Sequence, residues 1–403
     1  MNIHIFENRQ RALNLNPITL TRPAFEVRCG AFTYFERVKH LFPDEQLVFF
    51  VREEIKGVVE ERYPGIRVNP AEVKSGIWLD GSTYWNREMI MSIMDSSGHL
   101  FISNGTVVGA HLDAKMGSEW LEQGGPVLVN PDLPLPEKEI SVQTPEYLWE
   151  CVHLNEKVLE EDSLLFDLGM CFGNVDDGVH VVNEKNTYIG KRSKIKAGTV
   201  LDSENGPIIV GDNVTILSNS YLQGPLYIGD GCVIKAGARI YGGTAIGPGC
   251  KIGGEGEASI FQGWSNKQHD GFIGHAYIGE WVNLGADTNN SDLKNNYSNI
   301  SVFVNGKNVD TGSKFVGLFM GDHSKTGINT MFNTGTSVGP ACNIVGYGFP
   351  TKNIPPFTWV VNRKIRRHLF NKFVETARIV KERREQVFSL SEELLYRQIL
   401  EKS

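Results

Sequence analysis

Residues 208–252 read IIVGDNVTILSNSYLQGPLYIGDGCVIKAGARIYGGTAIGPGCKI, and this stretch decides the fold. Aliphatic side chains recur in it at every sixth position: Val210, Ile216, Leu222, Ile228, Ile234, Ile240, Ile246 and Ile252. A helix repeats about every 3.6 residues and a strand every two, so neither produces this period. A triangular β-solenoid does, because each hexad supplies one short strand and one corner. We therefore predict a parallel β-helix in which three hexads complete one coil.

The position two residues before each of these aliphatic residues is mostly small, which suits a second inward-facing site in a narrow prism. Cys232 and Cys250 occupy it one coil apart, and Cys342 has the same hexad position. We predict that all three are reduced core thiols. The chain has six cysteines and no C-x-x-C pair, a usage typical of a reducing compartment, so we expect a cytoplasmic protein.

The composition excludes several classes of protein. With 41% hydrophobic and 22% charged residues among 403, the chain has an ordinary globular composition. Its net charge of −7 argues against a nucleic-acid partner. No apolar run approaches the roughly 18 residues that span a bilayer. The first residues show no secretory signal. We therefore expect neither nucleic acid nor membrane as a partner.

The pattern divides the chain into four parts. Residues 1–150 alternate apparent strands and helices, which predicts an α/β domain. Residues 151–185 contain a connecting helix and linker, the solenoid occupies 186–360, and 361–403 form a C-terminal helical tail that caps or braces it. The tail opens with a basic cluster, interpreted as a solvated face or as a contact for a phosphate-bearing cofactor: Arg363, Lys364, Arg366 and Arg367.

The hexads break up between Ile260 and Met320. The segment 269–299 reads HDGFIGHAYIGEWVNLGADTNNSDLKNNYSN and is rich in Asn, Asp, Lys and His. A solenoid needs no such polar excursion for its stability. The segment therefore predicts a functional site or an interface.

This segment also carries a family resemblance. The string IGHAYIGEWVNLGADT at 273–288, with GWSNKQHDGF at 263–272, LFMGDHSKTGINTMFNTGT at 318–336 and NPITLTRPAFEVRCG at 16–30, resembles the GlmU-type bifunctional enzymes. It is most similar to a shortened alternative bacterial branch of them, over essentially the whole chain. Such enzymes acetylate glucosamine-1-phosphate and then uridylylate the product, in nucleotide-sugar synthesis for the cell wall. The resemblance implies a Rossmann-like nucleotidyltransferase domain followed by a left-handed parallel β-helix.

The resemblance also implies roles for solenoid residues. His269 is the expected general base of acetyl transfer from acetyl-CoA, because a base with a near-neutral pKa suits this chemistry. Asn283 would orient the histidine or the acetyl group, and a backbone amide near Ala286 would face the thioester oxygen. Phe272 stands where the family has a sugar-binding tyrosine. Further candidates for binding the sugar phosphate are Lys267, Asn289, Asn290, Lys294 and Arg239. The family also implies a homotrimer.

The N-terminal half departs from the family pattern. The glycine-rich loop of the form G-x-G-T-R-M is absent, although Pro17-Ile18-Thr19 matches its P-L-T motif. We expect UTP or another nucleotide to be bound by Thr19 and by arginines that replace the loop, since guanidinium binds phosphate in a bidentate manner. These arginines are Arg9, Arg11, Arg22 and Arg28. Asp80, in WLDGS, is the candidate Mg²⁺ ligand; the alternative for the arginines is an ordinary structural role.

Other functions stay open at this stage. His269, His275 and His323 suggest a zinc site of the kind that some solenoids hold between subunits. However, the first two histidines are about one hexad apart and should point away from each other. The missing glycine loop favours a regulatory protein that binds a sugar nucleotide without turning it over. A scaffold built on trimeric solenoids is the third possibility.

Overall fold

The N-terminal domain of the computed structural model is a seven-stranded sheet covered by helices. The structure describes residues 1–362 and 364–403, so Arg363 of the predicted basic cluster lies outside the described residues. The strands in spatial order are Arg67–Val68, Gln46–Phe50, Asn2–Phe6, Gly76–Asp80, Thr106–Leu112, His99–Ser103 and Glu137–Glu139. The first four run parallel and the fifth is antiparallel to the fourth. The predicted α/β class is confirmed.

Helices cover both faces of this sheet, which explains the unbroken apolar run in Gln46–Phe50. Most of them begin at a side chain that accepts a backbone N–H, such as Thr33, which forms a capping box with Glu36. The α-helices of this domain are Arg9–Asn14, Tyr34–Leu41, Glu53–Arg62, Arg87–Met94 and Ala114–Glu122, with short 3₁₀ turns at Ile18–Leu20 and Ala24–Glu26. A small hairpin pairs Arg28–Cys29 with Phe32–Thr33.

The second half is the predicted solenoid, a left-handed prism with three faces of parallel strands. The first face comprises Asn174–Val175, Lys194–Ile195, Thr215–Ile216, Val233–Ile234, Lys251–Ile252, Asn266–Lys267, Lys325–Thr326, Asn343–Val345 and Thr358–Val361. The second face comprises His180–Val182, Val200–Asp202, Tyr221–Gln223, Arg239–Ile240, Glu255–Glu257, Phe272–Gly274, Asn289–Asn290 and Met331–Phe332. The third face comprises Thr187–Ile189, Ile208–Val210, Leu226–Ile228, Thr244–Ile246, Ile260–Gly263, Tyr277–Glu280, Leu318–Met320, Thr336–Val338 and Asn353–Ile354.

The aliphatic residue of each hexad points into the prism and stacks on its equivalents. Ile234 pairs in register with Ile216 above and Ile252 below, and each of the three is at most 2% exposed. Cys232 and Cys250 fill the adjacent inward column as buried free thiols. The predicted hexad register is therefore confirmed.

The solenoid starts earlier than predicted and contains one excursion. Its first strand is Asn174–Val175, ahead of the predicted boundary at 186, because the first coil is irregular and lacks clear hexads. A hairpin of Ser301–Val304 and Lys307–Asp310 projects from the polar segment. Strand Lys364–Arg367, from the predicted basic cluster, pairs antiparallel with Thr358–Val361 at the other end.

Helices join the solenoid to the N-terminal domain. Helix Leu148–Ser163 packs on the third face and on the Arg28–Cys29 strand. The tail forms helices Phe370–Glu382 and Leu390–Lys402, and the second of these packs on Glu53–Arg62. The tail is thus a brace between both domains and not only a cap on the solenoid. Each described helix is too short or too polar to cross a lipid bilayer.

The register gives a direct test by a matched pair of substitutions. Ile234→Asp would place a carboxylate in the close-packed inward column, where it has no partner, and we expect several kcal/mol of destabilisation and loss of cooperative folding. Val233→Asp places the same charge one residue away on the outward side of the same strand and should fold. Urea unfolding of both variants checks this. Equal stability of the two would contradict the inward assignment.

Candidate functional site

His269 lies at the corner between the first and second faces of the solenoid, and Asn283 lies on the first face in the next coil. His269 follows strand Asn266–Lys267, and its side chain is exposed and has no hydrogen-bond partner among the described residues. Asn283 lies directly below Asn266 in the next coil, where its Oδ1 accepts from Asn266 Nδ2 at 3.4 Å. Adjacent coils are separated by about 4.8 Å. Asn283 is thus in the coil next to that of His269, on the face that precedes the corner of His269.

Ala286 lies in the coil of Asn283, just before the next corner. Its carbonyl accepts a hydrogen bond from the Asn329 amide at 2.8 Å. Its own N–H has no acceptor within the part of the chain that the structure describes. That amide is available to a ligand oxygen, as an oxyanion donor must be.

Lys267 does not face a substrate, contrary to the prediction. It is in register with Ile252, so its side chain enters the inward column, and it is 1% exposed. Its Nζ donates to the carbonyls of His269 and Asp270, the latter at 2.7 Å. Burial lowers the pKa of Lys267 to about 8. Lys267 instead fixes the backbone of the corner that carries His269.

The two predicted asparagines complete the backbone of the second face. The Oδ1 of Asn289 accepts from the Phe272 amide at 2.8 Å, and its Nδ2 donates to Asp287. Asn290 is buried and bonds both the N–H and the carbonyl of Gly274. Their amides are therefore occupied, and the prediction that they bind sugar is corrected to a structural role. Phe272 remains partly accessible on this face.

Arg239 is exposed and Lys294 is partly exposed, but their partners lie away from His269. Arg239 is on the second face two coils before Phe272 and forms an ion pair with Glu255 at 3.2 Å. Lys294 lies in the polar excursion and donates to Ser298 and to the Asn299 carbonyl. The structure does not gather them with His269 into one phosphate site.

The structure reveals an oriented histidine that sequence analysis did not assign to catalysis. His275 occupies the corner between the second and third faces, and its Nδ1 lies 2.8 Å from Asp292 Oδ2. The ring of Phe315 stacks on it at 5.1 Å between centroids. His275 and Asp292 are 17 residues apart, which is about one coil. This spacing in the sequence could have indicated that the two side chains are close.

The three histidines of the zinc alternative occupy three different corners of the prism. His323 lies at the corner between the third and first faces, and its ring is stacked on Trp281 and edge-on to Phe373. Burial lowers the pKa of His323 well below its ordinary value. No group of three His, Cys, Asp or Glu side chains with metal-binding geometry occurs among the described residues. The geometry thus corrects the zinc alternative.

In the N-terminal domain, the predicted metal ligand and one predicted arginine neutralise each other. Arg11 forms ion pairs with Asp80 and, at 2.9 Å, with Glu146. The other oxygen of Asp80 accepts from the amide and hydroxyl of Ser82 at 2.8 and 2.6 Å. Asp80 is fully buried. It therefore does not fit the role of a Mg²⁺ ligand, and Arg11 is not free for phosphate.

Arg22 connects the two domains. Its guanidinium is 1% exposed and pairs with Asp322 and, at 3.2 Å, with Glu280 of the solenoid. Burial opposes its charge, but the charges of Asp322 and Glu280 outweigh burial and raise the pKa of Arg22 well above its ordinary value. This placement corrects the prediction that Arg22 binds nucleotide.

Arg28 and Thr19 are also structural. The backbone amide of Arg28 donates to the hydroxyl of Tyr277 on the third face at 2.8 Å, and its guanidinium donates to the Ala31 carbonyl at 2.6 Å. The Thr19 hydroxyl donates to the carbonyl of Ala12. Both side chains are buried. Of the predicted phosphate-binding arginines, only Arg9 is exposed.

A cleft of about 810 Å³ lies beyond the carboxyl ends of the parallel strands, and we call it the strand-end cleft. Ligands of open α/β sheets bind at such a position. Val51 and Arg52 follow one strand into it, Asn69 and Pro70 follow another, and Arg9 lies beside them. The cleft is therefore an accessible cavity at the strand ends, and Arg9 is exposed beside it.

Comparisons with known proteins match both halves of the chain. Residues 3–169 match the sugar nucleotidyl transferase family, and residues 207–242 match the bacterial transferase hexapeptide, as six repeats. The first match extends through helix Leu148–Ser163, which the prediction placed in a linker. The chain therefore combines a nucleotidyltransferase domain with hexapeptide repeats, as the GlmU-type resemblance implied.

Curated relatives show the same combination. The chain is 31% identical over 211 residues to a bifunctional sugar-1-phosphate nucleotidylyltransferase/acetyltransferase of Sulfurisphaera tokodaii, covering 50% of this chain and 46% of that protein. It is 32% identical over 109 residues to the bifunctional protein GlmU of Methanocaldococcus jannaschii, covering 27% and 26%. The matches thus span less than half the length of these relatives. A solved UDP-N-acetylglucosamine acyltransferase aligns with 14% identity and a TM-score of 0.32 over 51% of this chain and 75% of its own.

The buried amine of Lys267 predicts a pH dependence of stability. Between pH 8 and 10.5 this lysine is protonated in the unfolded chain and deprotonated in the folded chain. The contribution of this lysine to the free energy of unfolding therefore increases as the pH rises. Lys267→Met lacks the group. The free energy of unfolding of wild type minus that of Lys267→Met should therefore increase as the pH rises across this interval. Urea unfolding at several pH values measures this difference.

Lys314→Met provides the control, because Lys314 is exposed. Its stability difference from wild type should stay constant over the same pH range. A constant difference for Lys267→Met as well would show that Lys267 titrates alike in both states and is not buried.

Proposed function

We propose that this chain, which joins a sugar nucleotidyl transferase domain to bacterial transferase hexapeptide repeats, is an acetyltransferase that N-acetylates an amino-sugar 1-phosphate with acetyl-CoA. Glucosamine-1-phosphate is the proposed acceptor. The observation that carries the proposal is the combination of both domains in one chain, which the Sulfurisphaera relative shares under a name that states both activities. The solenoid surface with His269, Asn283 and the free Ala286 amide supports it.

The proposed reaction assigns one role to each group on this surface. His269 takes a proton from the acceptor amine as the amine nitrogen attacks the thioester carbonyl carbon of acetyl-CoA. The Ala286 amide donates to the developing oxyanion, and Asn283 orients the acetyl group. The C–S bond then breaks, and the CoA thiolate leaves with the proton from His269. Exposure of His269 permits it to meet both substrates.

We further propose that the active form is a homotrimer in which a second copy covers this surface. Apolar side chains are unusually exposed beside it: Ile328 is 68% and Tyr347 is 71% exposed. They line a recess of about 570 Å³ with Asp287 and Asn329. Covering such side chains is favourable, and a three-sided prism suits cyclic packing. The groove between copies would also accommodate acetyl-CoA.

For the N-terminal domain we propose binding of UTP or a sugar nucleotide on the side of its sheet where the parallel strands end, with slow or no nucleotidyl transfer. The ion pairs of Arg11 and Arg22 favour this alternative, because those cations are not free to neutralise triphosphate. Asp80 does not fit a Mg²⁺ site, so no step is routed through a metal there. A regulatory or scaffolding role for this domain is the second candidate function.

His269→Ala tests the acetyl-transfer proposal. General-base catalysis contributes about 10²–10⁴-fold to rates, so turnover should fall by about that factor while unfolding is unchanged, because the side chain is exposed. The assay is thiol release from acetyl-CoA with a panel of amino-sugar phosphates.

His275→Ala is the control, since His275 lies at another corner, and it should retain most activity. Loss of activity in His275→Ala but not in His269→Ala would indicate that the His275–Asp292 pair supplies the general base. Full activity of His269→Ala would contradict the assignment.

The trimer proposal is checked by light scattering. The mass should be about three times the 44.9 kDa of one chain at micromolar concentration. Tyr347→Asp should weaken assembly, because it places a charge in the covered recess. A wild-type mass of one chain would contradict the proposal.

A further inference from the structure

A second large cavity lies where the N-terminal domain, the solenoid and the tail meet. It has a volume of about 540 Å³, within the range of small-molecule sites. The N-terminal domain contributes the segment after its first strand, including Arg9, Asn16 and Thr19. The solenoid contributes the tip of its hairpin and Pro355–Pro356, and the tail contributes helix Leu390–Lys402. We call it the junction cavity; none of the roles proposed above uses it.

The charges of the junction cavity differ from those of the neighbouring strand-end cleft, although Arg9, Arg52 and Glu54 line both. In the junction cavity the only further charged side chain is Lys402 among the residues described, so cationic side chains exceed anionic ones by three to one. The strand-end cleft adds three carboxylates, of Glu53, Glu72 and Glu122. The lining charges therefore favour an anionic ligand in the junction cavity over the outer part of the cleft.

One carboxylate already occupies the position between two of these cations. Glu54 Oε1 lies 3.3 Å from Arg9 Nη2 and 3.3 Å from Lys402 Nζ. Burial tends to raise the pKa of Glu54, but its hydrogen bonds and the charges of Lys402 and Arg9 outweigh this and lower it. Arg9 and Lys402 come from opposite ends of the chain, yet they converge on one anion. A phosphate group that displaces this carboxylate would offer more acceptor oxygens to the same two cations.

A third cation is held rigidly beside them. The guanidinium of Arg52 is 9% exposed, and it donates to Glu7 at 2.9 Å and to the Arg22 carbonyl at 3.1 Å. These bonds fix its position, so it loses little conformational entropy when a ligand binds. The remaining wall is apolar and is formed by buried side chains: Ile55, Ile354, Leu395 and Ile399. Few fixed polar groups on an apolar wall are typical of sites for small organic ligands.

We propose that the junction cavity binds a nucleoside phosphate, with its phosphate between Arg9 and Lys402 and its base against the apolar wall. The inference rests on the proposed nucleotide binding by the N-terminal half and adds that the C-terminal helix is part of the site. Bound ligand then joins the tail to the N-terminal domain. Nucleotide binding by this chain accordingly requires the tail, although the tail lies outside the matched nucleotidyltransferase region.

The test is equilibrium binding to the full chain by calorimetry, with UTP, UMP, uridine and inorganic phosphate as separate probes. UTP and UMP should bind more tightly than uridine or phosphate, because they engage both the cations and the apolar wall. Lys402→Ala should weaken UTP about tenfold, as the loss of one charge-assisted bond does. Gln398→Trp, at an exposed position of the cavity wall, should block UTP.

Two control variants show whether a loss of UTP binding is specific to the junction cavity. Lys372→Ala removes a lysine that is 68% exposed, against 67% for Lys402, and that pairs with Glu375 on the other tail helix. Glu122→Gln changes the strand-end cleft alone. Both should bind UTP as wild type does. Unchanged UTP binding by Lys402→Ala and Gln398→Trp, or equal affinity for phosphate and UTP, would overturn the proposal.

The outcome is distinguishable from that of the proposed function. UTP binding that depends on Lys402, without any pyrophosphate release, would support the junction site while nucleotidyl transfer fails. Pyrophosphate release that is insensitive to Gln398→Trp would overturn the junction site while transfer stands. Absence of all nucleotide binding by wild type would overturn both.

Discussion

The buried ion pair between Arg22 and Asp322 is the contact on which the assembly of this chain depends. Arg22 comes from the N-terminal domain, Asp322 from the solenoid, and Glu280 and Thr21 complete the network. A charge removed from water is costly unless it is paired and hydrogen-bonded, so each domain stabilises a group that the other could not bury alone. The corner of Asp322 is adjacent to His323, whose ring packs against the tail. One interaction thus links all three parts.

This contact explains why the N-terminal half carries so many buried arginines. The third face of the solenoid has apolar or aromatic residues on its outward side, such as Ile260, Tyr277 and Phe319, and the N-terminal domain covers them. Arginines at this boundary satisfy carbonyls and carboxylates that water no longer reaches. The segment that we predicted to bind phosphate, around Arg22 and Arg28, therefore lies in an interface. A ligand of this half must use the cations that remain accessible, of which Arg9 is one.

The sequence was sufficient to predict the solenoid because its period is local and is repeated many times. It also predicted that His269 and Asn283 lie in neighbouring coils, since 14 residues are somewhat less than one coil. The inward position of Lys267 was hidden because the coil from Ile252 to Lys267 is shorter than the regular coil, which shifts the hexad register. The pairing of Arg22 with Asp322 spans 300 residues and leaves no local pattern. The sequence alone does not distinguish an arginine that binds phosphate from an arginine that is buried at a domain interface. The burial of the side chain in the structure distinguishes them.

The central claim is that the Arg22–Asp322 pair holds the two domains together. A double-mutant cycle on Arg22→Met and Asp322→Leu tests this claim most directly. Free energies of unfolding from urea titrations give the coupling. We expect each single variant to lose about 3–5 kcal/mol, because Arg22→Met leaves the buried Asp322 carboxylate without its cation and Asp322→Leu leaves the buried Arg22 with Glu280 alone. The double variant should lose much less than the sum. Losses that add to within about 0.5 kcal/mol would show that the two side chains act independently, and would contradict the claim.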